Sequence, residues 1–256
     1  MSLLSAYILT HNSKRYLLQI IDTIAPVVDE ILVIDSGSTD GTQEMVTALP
    51  NAQLIKHPLE NFKAQRNYAT SICSHEHVLF LDSDELPDAD FMASLAQIKA
   101  AGFPHEAYRV RRHWEVMGQP IHCIYPIVSP DGPVRLLDRR KVNFDNANIV
   151  HETPSGWTSL GEIGGGLRHI TFHDQAELSL KLERYTTLAA QRLVEQGKPT
   201  HLPKALLSAI AAWIKWYGLK GGFKDGWLGL RLGVYAFQYS WKKYRKAQHL
   251  KSPKHT

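Results

Sequence analysis

Apolar and polar residues alternate in blocks along residues 1–100. Short apolar runs predict buried strands, and segments with helical spacing lie between them. The predicted strands are Leu3–Leu9, Ile31–Ile34, Gln53–Ile55 and Val78–Leu81. The predicted helices are Tyr16–Ile24, Gln43–Leu49 and Asn61–Ser71. Strands that alternate with helices predict an α/β fold with a parallel sheet.

Acidic residues follow the last of these strands directly. The run ends in Asp82, Ser83, Asp84 and Glu85. Open α/β sheets bind ligands at the C-terminal ends of their strands. Neighbouring carboxylates repel each other, and hard oxygen ligands suit Mg²⁺ or Mn²⁺, which in turn hold phosphates. The alternative interpretation is a solvated acidic turn that caps the next helix.

Two further polar residues belong to this pattern. Asp35 follows a predicted strand, where a carboxylate accepts hydrogen bonds from a ribose or a base, or only caps the turn. Arg66 lies on the third predicted helix, where the alternative is a solvated charge. The chain has neither G-x-x-x-x-G-K-[ST] nor G-x-G-x-x-G, so a P-loop or a dinucleotide fingerprint is not supported.

Four segments in this order resemble family 2 glycosyltransferases of the GT-A fold. They are Ile8–Asn12, Val33–Thr42, Ala64–Asn67 and Leu81–Glu85. The resemblance implies a Rossmann-like mixed, mainly parallel sheet flanked by helices, with a C-terminal helical extension. It implies a catalytic domain over 1–175, with a nucleotide-sugar half (1–100) and an acceptor half (101–175). A helical, basic, membrane-associating region would then cover 176–256.

Later segments are similar to bacterial β-glycosyltransferases that extend the lipopolysaccharide inner core. They are Val134–Leu137, Ile149–Glu152, Leu167–His169 and Lys181–Tyr185. This resemblance implies an inverting transfer of a hexose, usually glucose, from a UDP-sugar to a heptose. The alternatives are another glycan or a protein as acceptor, or a catalytically silent, membrane-bound glycan-binding protein. A nucleotidyltransferase is less favoured, because no glycine-rich basic motif follows the first strand.

The resemblance assigns roles to single residues. The nucleotide-sugar-binding set is Thr10, Asn12, Asp35, Arg66, Asp82 and Ser83. Asp84 would hold a divalent metal ion, Mg²⁺ or Mn²⁺. His169 would be a further ligand from a later segment; the alternatives are a structural histidine, or His173 as the ligand.

The reaction also needs a general base and an acceptor site. A carboxylate must accept the proton of the acceptor hydroxyl, and Glu152 and Glu85 are the two candidates. Their alternatives are a salt bridge, for example to Arg135, and a helix-start acid. The acceptor-binding set is Arg109, Arg111, Arg135 and His151. The first two lie on a predicted strand over 108–114, where the alternative is a solvated strand face.

Composition limits the class of protein, and the charged residues are distributed unevenly along the chain. An apolar fraction of 44% describes an ordinary globular chain, and two cysteines imply no disulfide framework and fit a reducing compartment. We expect neither a signal peptide nor a membrane span. Residues 197–256 carry twelve Lys/Arg and a single acid, Asp225, whereas residues 1–196 carry 17 Lys/Arg and 24 Asp/Glu.

The basic tail predicts an anionic partner. Two aromatic segments, Ala205–Tyr217 and Trp227–Tyr244, are joined by a glycine-rich turn and end in Lys242–Lys246. They favour contact with the inner-membrane surface, which implies a cytoplasmic, peripheral protein on the cytoplasmic face. The alternatives are a helical hairpin packed on the catalytic domain, or a dimer face. No recognition motif supports nucleic acid.

Overall fold

The computed structural model describes residues 2–145 and 153–251. The chain divides into two compact units, residues 1–112 with 132–169 and residues 113–131 with 170–256. Residues 113–131 therefore group with the C-terminal helices. The domain division expected after residue 175 stays a prediction.

The strands are β1 Leu4–Thr10, β2 Glu30–Asp35, β3 Gln53–Lys56, β4 His77–Asp82, β5 Glu85–Pro87, β6 Ala107–Val116, β7 Gln119–Pro120, β8 Cys123–Ile124, β9 Ile127–Val128, β10 Val134–Asp138 and β11 Leu160–Phe172. The helices are α1 Lys14–Ile24, α2 Thr42–Thr47, α3 Phe62–Ile72, α4 Ala89–Ala100, α5 Gln175–Glu195, α6 Leu202–Trp213 and α7 Gly226–Lys251. A π-helical segment (Ile214–Leu219) and a 3₁₀ turn (Gly222–Asp225) join α6 to α7. The elements predicted over residues 1–100 are confirmed to within two residues at most ends, whereas α4 and β5 were not predicted.

The first unit is built on a mixed sheet with strand order β3-β2-β1-β4-β10-β6-β11-β5. Strands β3, β2, β1 and β4 are parallel. Strand β10 runs antiparallel to both β4 and β6, and β5 runs antiparallel to β11. Helices alternate with the parallel strands along the chain, which confirms the predicted α/β class with a mixed sheet.

Burial explains why the parallel strands read as continuous apolar runs. Every residue of β1 is buried, because strands in the middle of an α/β sheet have helices on both faces. Helix α1 buries one stripe at helical spacing, formed by Leu17, Ile20, Ile21 and Ile24. The core of this unit includes Tyr7 stacked on Phe80, with Phe144 edge-on to Phe80.

The second unit is mainly helical. Helices α5 and α6 both pack on α7. Asp174 caps α5, because its side chain accepts a hydrogen bond from the backbone N–H of Glu177. No helix in the described ranges is long and apolar enough to cross a membrane.

Candidate active site

Three strand ends meet at one edge of the sheet. In the register of β1 with its neighbours, Thr10 lies opposite Asp35 of β2, and Leu9 lies opposite Asp82 of β4. Parallel strands bring their C-terminal ends to the same edge, so the polar residues that follow them lie close together. Predicted nucleotide-sugar-binding residues from separate parts of the chain therefore lie together at this edge of the sheet.

Asp35 organises the loop that follows β2. It is buried, and its carboxylate accepts hydrogen bonds from the backbone N–H groups of Gly37 and Ser38 (3.0 and 2.9 Å). The Thr10 hydroxyl and the Gln43 amide donate to it at 3.1 and 2.8 Å. Burial raises the pKa of Asp35, but these donors outweigh burial and lower it. Asp35 is thus held as a carboxylate that fixes the shape of the loop.

Asn12 and Ser83 connect the neighbouring loops. Asn12 has a left-handed backbone (φ +53°), and its side-chain carbonyl accepts from the Thr39 N–H at 2.8 Å. The Asn12 N–H donates to the Ser38 hydroxyl at 2.7 Å. The hydroxyls of Ser83 and Ser13 lie 2.7 Å apart. The loops after β1, β2 and β4 are therefore tied to one another by short polar contacts.

Asp82 joins two arginines from different elements. Arg66 of α3 donates to one carboxylate oxygen at 2.8 Å, and Arg135 of β10 donates to the other at 3.1 Å. The guanidinium carbons of Arg66 and Arg135 each lie 5.4 Å from the centroid of the Phe80 ring, so each charge also contacts an aromatic face. Burial opposes ionisation of Asp82, but the two arginines outweigh it and hold the pKa well below its usual range.

Glu85 is fully buried and forms ion pairs with two arginines, one of which, Arg135, it shares with Asp82. Arg135 donates two hydrogen bonds to its carboxylate, from Nε at 2.7 Å and from Nη2 at 2.6 Å. Arg112 of β6 donates a third at 2.7 Å, and the Asp82 backbone N–H a fourth at 3.2 Å. The side chain has 0% exposure. Burial raises the pKa of Glu85, but Arg135 and then Arg112 outweigh burial and lower it.

Asp84 and His169 form the candidate metal pair. Strand β5 pairs with β11 so that Glu85 lies opposite His169, which brings the histidine to the acidic turn. His169 Nδ1 lies 3.3 Å from the Asp84 carboxylate, and Asp84 is 38% exposed whereas His169 is mostly buried. Burial lowers the pKa of His169, but the Asp84 carboxylate outweighs it and raises the pKa.

The pair fits a divalent ion with few protein ligands. Mg²⁺ and ions of similar geometry hold ligand atoms at about 2.1 Å in an octahedron, which places neighbouring ligand atoms roughly 3 Å apart. The 3.3 Å between the Asp84 oxygen and His169 Nδ1 is close to that spacing. No cluster of three or more Asp, Glu, His or Cys residues suited to a metal exists in the part of the chain that the structure describes. An ion held by these two residues would have most of its coordination positions open to other ligands.

The predicted acceptor residues lie in different surroundings, some exposed and one buried. Arg109 and Arg111 are exposed on β6, and both contact Glu162 of β11, at 3.2 and 3.5 Å. Arg135 is not beside them on the surface, because its guanidinium is only 6% exposed and lies among carboxylates. His151 and the candidate base Glu152 lie outside the described residues.

The surroundings of two residues, His173 and Arg112, were not predicted from the sequence. His173, the alternative ligand, belongs to the second unit, where its backbone N–H donates to Glu177 at 2.9 Å. Arg112 lies on the same predicted strand as Arg109 and Arg111 and had no role assigned from the sequence, yet its contact with Glu85 makes it part of the buried charge group. Strand alternation is the signal that could have identified it: Arg109 and Arg111 share the exposed face of β6, whereas Arg112 is on the opposite face with the buried Val110 and Trp114.

Comparison with solved structures identifies the fold. The mannosyltransferase PcManGT from Pyrobaculum calidifontis, in complex with GDP-Man and Mn²⁺, matches with a TM-score of 0.53 and 15% identity, over 97% of this chain and 88% of that chain. S. aureus TarS 1-349, in complex with UDP-GlcNAc, matches with a TM-score of 0.50 and 13% identity, over 96% and 92%. The fold is that of GT-A glycosyltransferases.

Sequence comparison gives the family. The profile of Glycosyl transferase family 2 matches residues 5–105. Uncharacterized glycosyltransferase RP128 of Rickettsia prowazekii is 33% identical over 90% of this chain and 81% of its own length. Lipopolysaccharide core biosynthesis glycosyltransferase LpsC of Rhizobium meliloti is 29% identical over 95% of this chain and 92% of its own length. The chain belongs to glycosyl transferase family 2, as its motifs predicted.

The buried charge group predicts an acid-sensitive stability. The lowered pKa of Glu85 means that the folded state keeps this carboxylate ionised where the unfolded chain, with a pKa near 4.5, binds a proton. Its contribution is complete above pH 4.5 and is lost as the pH falls through the folded value. One such group gives a slope of about 1.4 kcal/mol per pH unit in the free energy of unfolding.

Glu85→Gln tests this directly. It should lower the free energy of unfolding by about 3 kcal/mol near neutral pH, since it leaves Arg135 and Arg112 without their buried partner. It should also make the loss of stability on acidification shallower. Urea unfolding between about pH 3 and pH 6 measures both effects. Glu60→Gln is the control, because Glu60 is exposed. Equal stabilities and slopes in the two variants would contradict the assignment.

Proposed function

We propose that this chain is an inverting, metal-dependent hexosyltransferase that moves a sugar, with glucose as the first candidate, from a UDP-sugar to a heptose of the lipopolysaccharide inner core. The observation that carries the proposal is the pair of Asp84 and His169 beside a buried, fully compensated charge group. The named lipopolysaccharide core relative supports the acceptor, and the UDP-GlcNAc complex of a protein with the same fold supports a uridine nucleotide.

The donor is proposed to bind across the three strand ends. Asp35 keeps the loop after β2 in shape through Gly37 and Ser38, and this loop would surround the nucleoside. Asp82 is 29% exposed although two arginines hold it, so part of its carboxylate stays available to ribose hydroxyls. Arg66 and Arg135 would act by fixing Asp82, with Thr10, Asn12 and Ser83 completing the pocket wall.

The metal is proposed to be held by Asp84 and His169. A bound divalent ion would neutralise the charge that grows on the departing diphosphate. Carboxylate oxygens suit both Mg²⁺ and Mn²⁺, whereas an imidazole ligand suits transition metals. We therefore favour Mn²⁺ over Mg²⁺, and the complex of the mannosyltransferase with Mn²⁺ supports this choice.

The roles of the two candidate bases are proposed to differ. A general base needs a lone pair within reach of the acceptor hydroxyl. The oxygens of Glu85 already accept from Arg135, Arg112 and a backbone N–H, and its side chain has no exposure. Glu85 is therefore proposed as a positioning residue that holds the turn bearing Asp84. Glu152 is left as the proposed base.

Two basic surfaces are proposed to bind the acceptor and the membrane. Arg109 and Arg111 are exposed and share one carboxylate, so together they carry a net positive charge that suits phosphates on a lipopolysaccharide core. Arg135 is proposed to position Asp82 and Glu85, and not to bind the acceptor. The protein would sit at the cytoplasmic face of the inner membrane through its basic C-terminal helices.

Asp84→Asn should abolish metal-dependent turnover. The substitution removes the charged oxygen that would bind the ion, while the buried pairs of Glu85 stay in place. Release of UDP from UDP-sugars and of GDP from GDP-sugars, with and without a heptose acceptor and with Mn²⁺ or Mg²⁺, measures the effect. We expect a loss of at least about a hundredfold. Asp90→Asn is the control, because Asp90 is exposed in the first turn of α4. Full turnover in Asp84→Asn would overturn the metal assignment.

Glu152→Gln separates transfer from donor binding. Without a base the acceptor hydroxyl keeps its proton, so transfer to heptose should fall by about 10²- to 10⁴-fold. The affinity for UDP-sugar, measured by calorimetry in the presence of Mn²⁺, should stay within about twofold of the wild type. Transfer at the wild-type rate would pass the role of base to another residue.

A further inference from the structure

An exposed apolar stripe follows one side of α6. The residues that α6 buries are Ala205 and Ala209, and this helix packs on α7. Apolar residues at spacings of four, three and four follow another side, which is one face of a helix. They are Pro203, Leu207, Ile210 and Ile214. The three aliphatic side chains are 65%, 41% and 48% exposed, so the stripe has no partner among the described residues that would cover it.

The connection to α7 continues the exposed apolar surface. Leu219 is 79% exposed, Phe223 is 55% exposed and Trp227 is 73% exposed. These are large side chains on two short turns and on the first turn of α7. Together with the stripe they form the apolar segment, defined as residues 203–227. Monomeric proteins in water rarely expose so many large apolar side chains in one stretch without a function for them.

Charge identifies the partner that this segment fits. Lys204 is exposed in the first turn of α6, and three lysines between the large apolar side chains, Lys215, Lys220 and Lys224, are exposed as well. The one acid of residues 198–251 is Asp225, whose side chain is 3% exposed and accepts hydrogen bonds from the backbone and ring of His122. The surface of the segment therefore carries positive charge with no exposed carboxylate to offset it.

The lysines at the far end of α7 are engaged elsewhere. Lys246 donates to Glu183, Thr186 and Thr187 of α5, and Lys242 also contacts Glu183. These contacts join α5 to α7. They make Lys242 and Lys246 part of the packing of the second unit, whereas the sequence had suggested that they meet lipid phosphates.

We propose that the apolar segment is the membrane-docking element and that it lies in the headgroup region of an anionic bilayer. Leu219, Phe223 and Trp227 would enter the acyl boundary, and the three lysines would meet lipid phosphates. This deepens the peripheral association proposed above by naming its surface. Helix α6 has 12 residues and is about 18 Å long, well short of the roughly 30 Å hydrocarbon core, so it lies on the membrane.

A second copy of the chain is the less favoured occupant. A two-fold symmetric contact places the same patch on both partners, so the lysines of one copy would lie near those of the other. Such like charges repel each other, whereas anionic lipids attract every one of them. Charge complementarity thus favours the lipid surface.

Vesicle flotation with the full chain tests the proposal. Vesicles of phosphatidylglycerol with phosphatidylcholine should bind the wild type, and vesicles of phosphatidylcholine alone should bind it far less. The triple variant K215Q/K220Q/K224Q should lose binding about a hundredfold, since each lysine near an anionic surface strengthens binding about fivefold. The control R184Q/R192Q/K198Q removes the same charge from exposed positions of the second unit and should bind nearly as the wild type does.

A second variant tests the apolar side chains. L219S/F223S/W227S should lose binding to anionic vesicles at least tenfold while it keeps UDP-sugar hydrolysis in solution, which shows that the fold is intact. Wild-type binding in this variant would overturn the proposal, as would equal losses in the two charge variants. A dimer that L219S/F223S/W227S converts to a monomer, without vesicle binding by the wild type, would assign the surface to a second copy. Hydrolysis without vesicles tests the enzyme separately, so the two proposals fail independently.

Discussion

The ionised carboxylate of Glu85 is buried without exposure, and the site depends on what compensates it. Arg135 and Arg112 supply that compensation from strands β10 and β6, and Arg135 also reaches Asp82. A buried charge without a partner is costly, so these side chains must be placed together or the turn at residues 82–85 cannot hold this conformation. The group therefore couples the first half of the sheet to its antiparallel half and fixes the turn that carries Asp84.

This constraint divides the acidic run by role. Asp82 is held by two arginines yet partly exposed, Asp84 projects toward His169, and Glu85 is enclosed. The residues lie within four positions of each other, but their surroundings differ because β4 ends at Asp82 and the short β5 begins at Glu85. One turn thus carries two partly exposed carboxylates, Asp82 and Asp84, and one enclosed carboxylate, Glu85.

Local patterns predicted much of the fold, and nonlocal contacts were the part that they could not predict. The apolar runs of β1, β2 and β4 and the N-cap of α3 at Asn61 are local signals. Strand β5 has three residues, and one is a proline, which gives no periodicity to detect. The contacts of Glu85 with Arg112 and Arg135 join residues 27 and 50 positions apart, so only the folded sheet reveals them. The motif at Leu167–His169 was identified by resemblance, and its pairing with β5 explains why a histidine lies there.

We propose that Asp84 and His169 hold a divalent ion together with the donor diphosphate. Calorimetric titration of Mn²⁺ in the presence of saturating UDP tests it most directly, with the wild type and His169→Gln compared side by side. We expect one Mn²⁺ per chain in the wild type and a loss of affinity of about 10- to 100-fold in the variant. Equal Mn²⁺ affinity in the two proteins, or binding that does not depend on UDP, would contradict it.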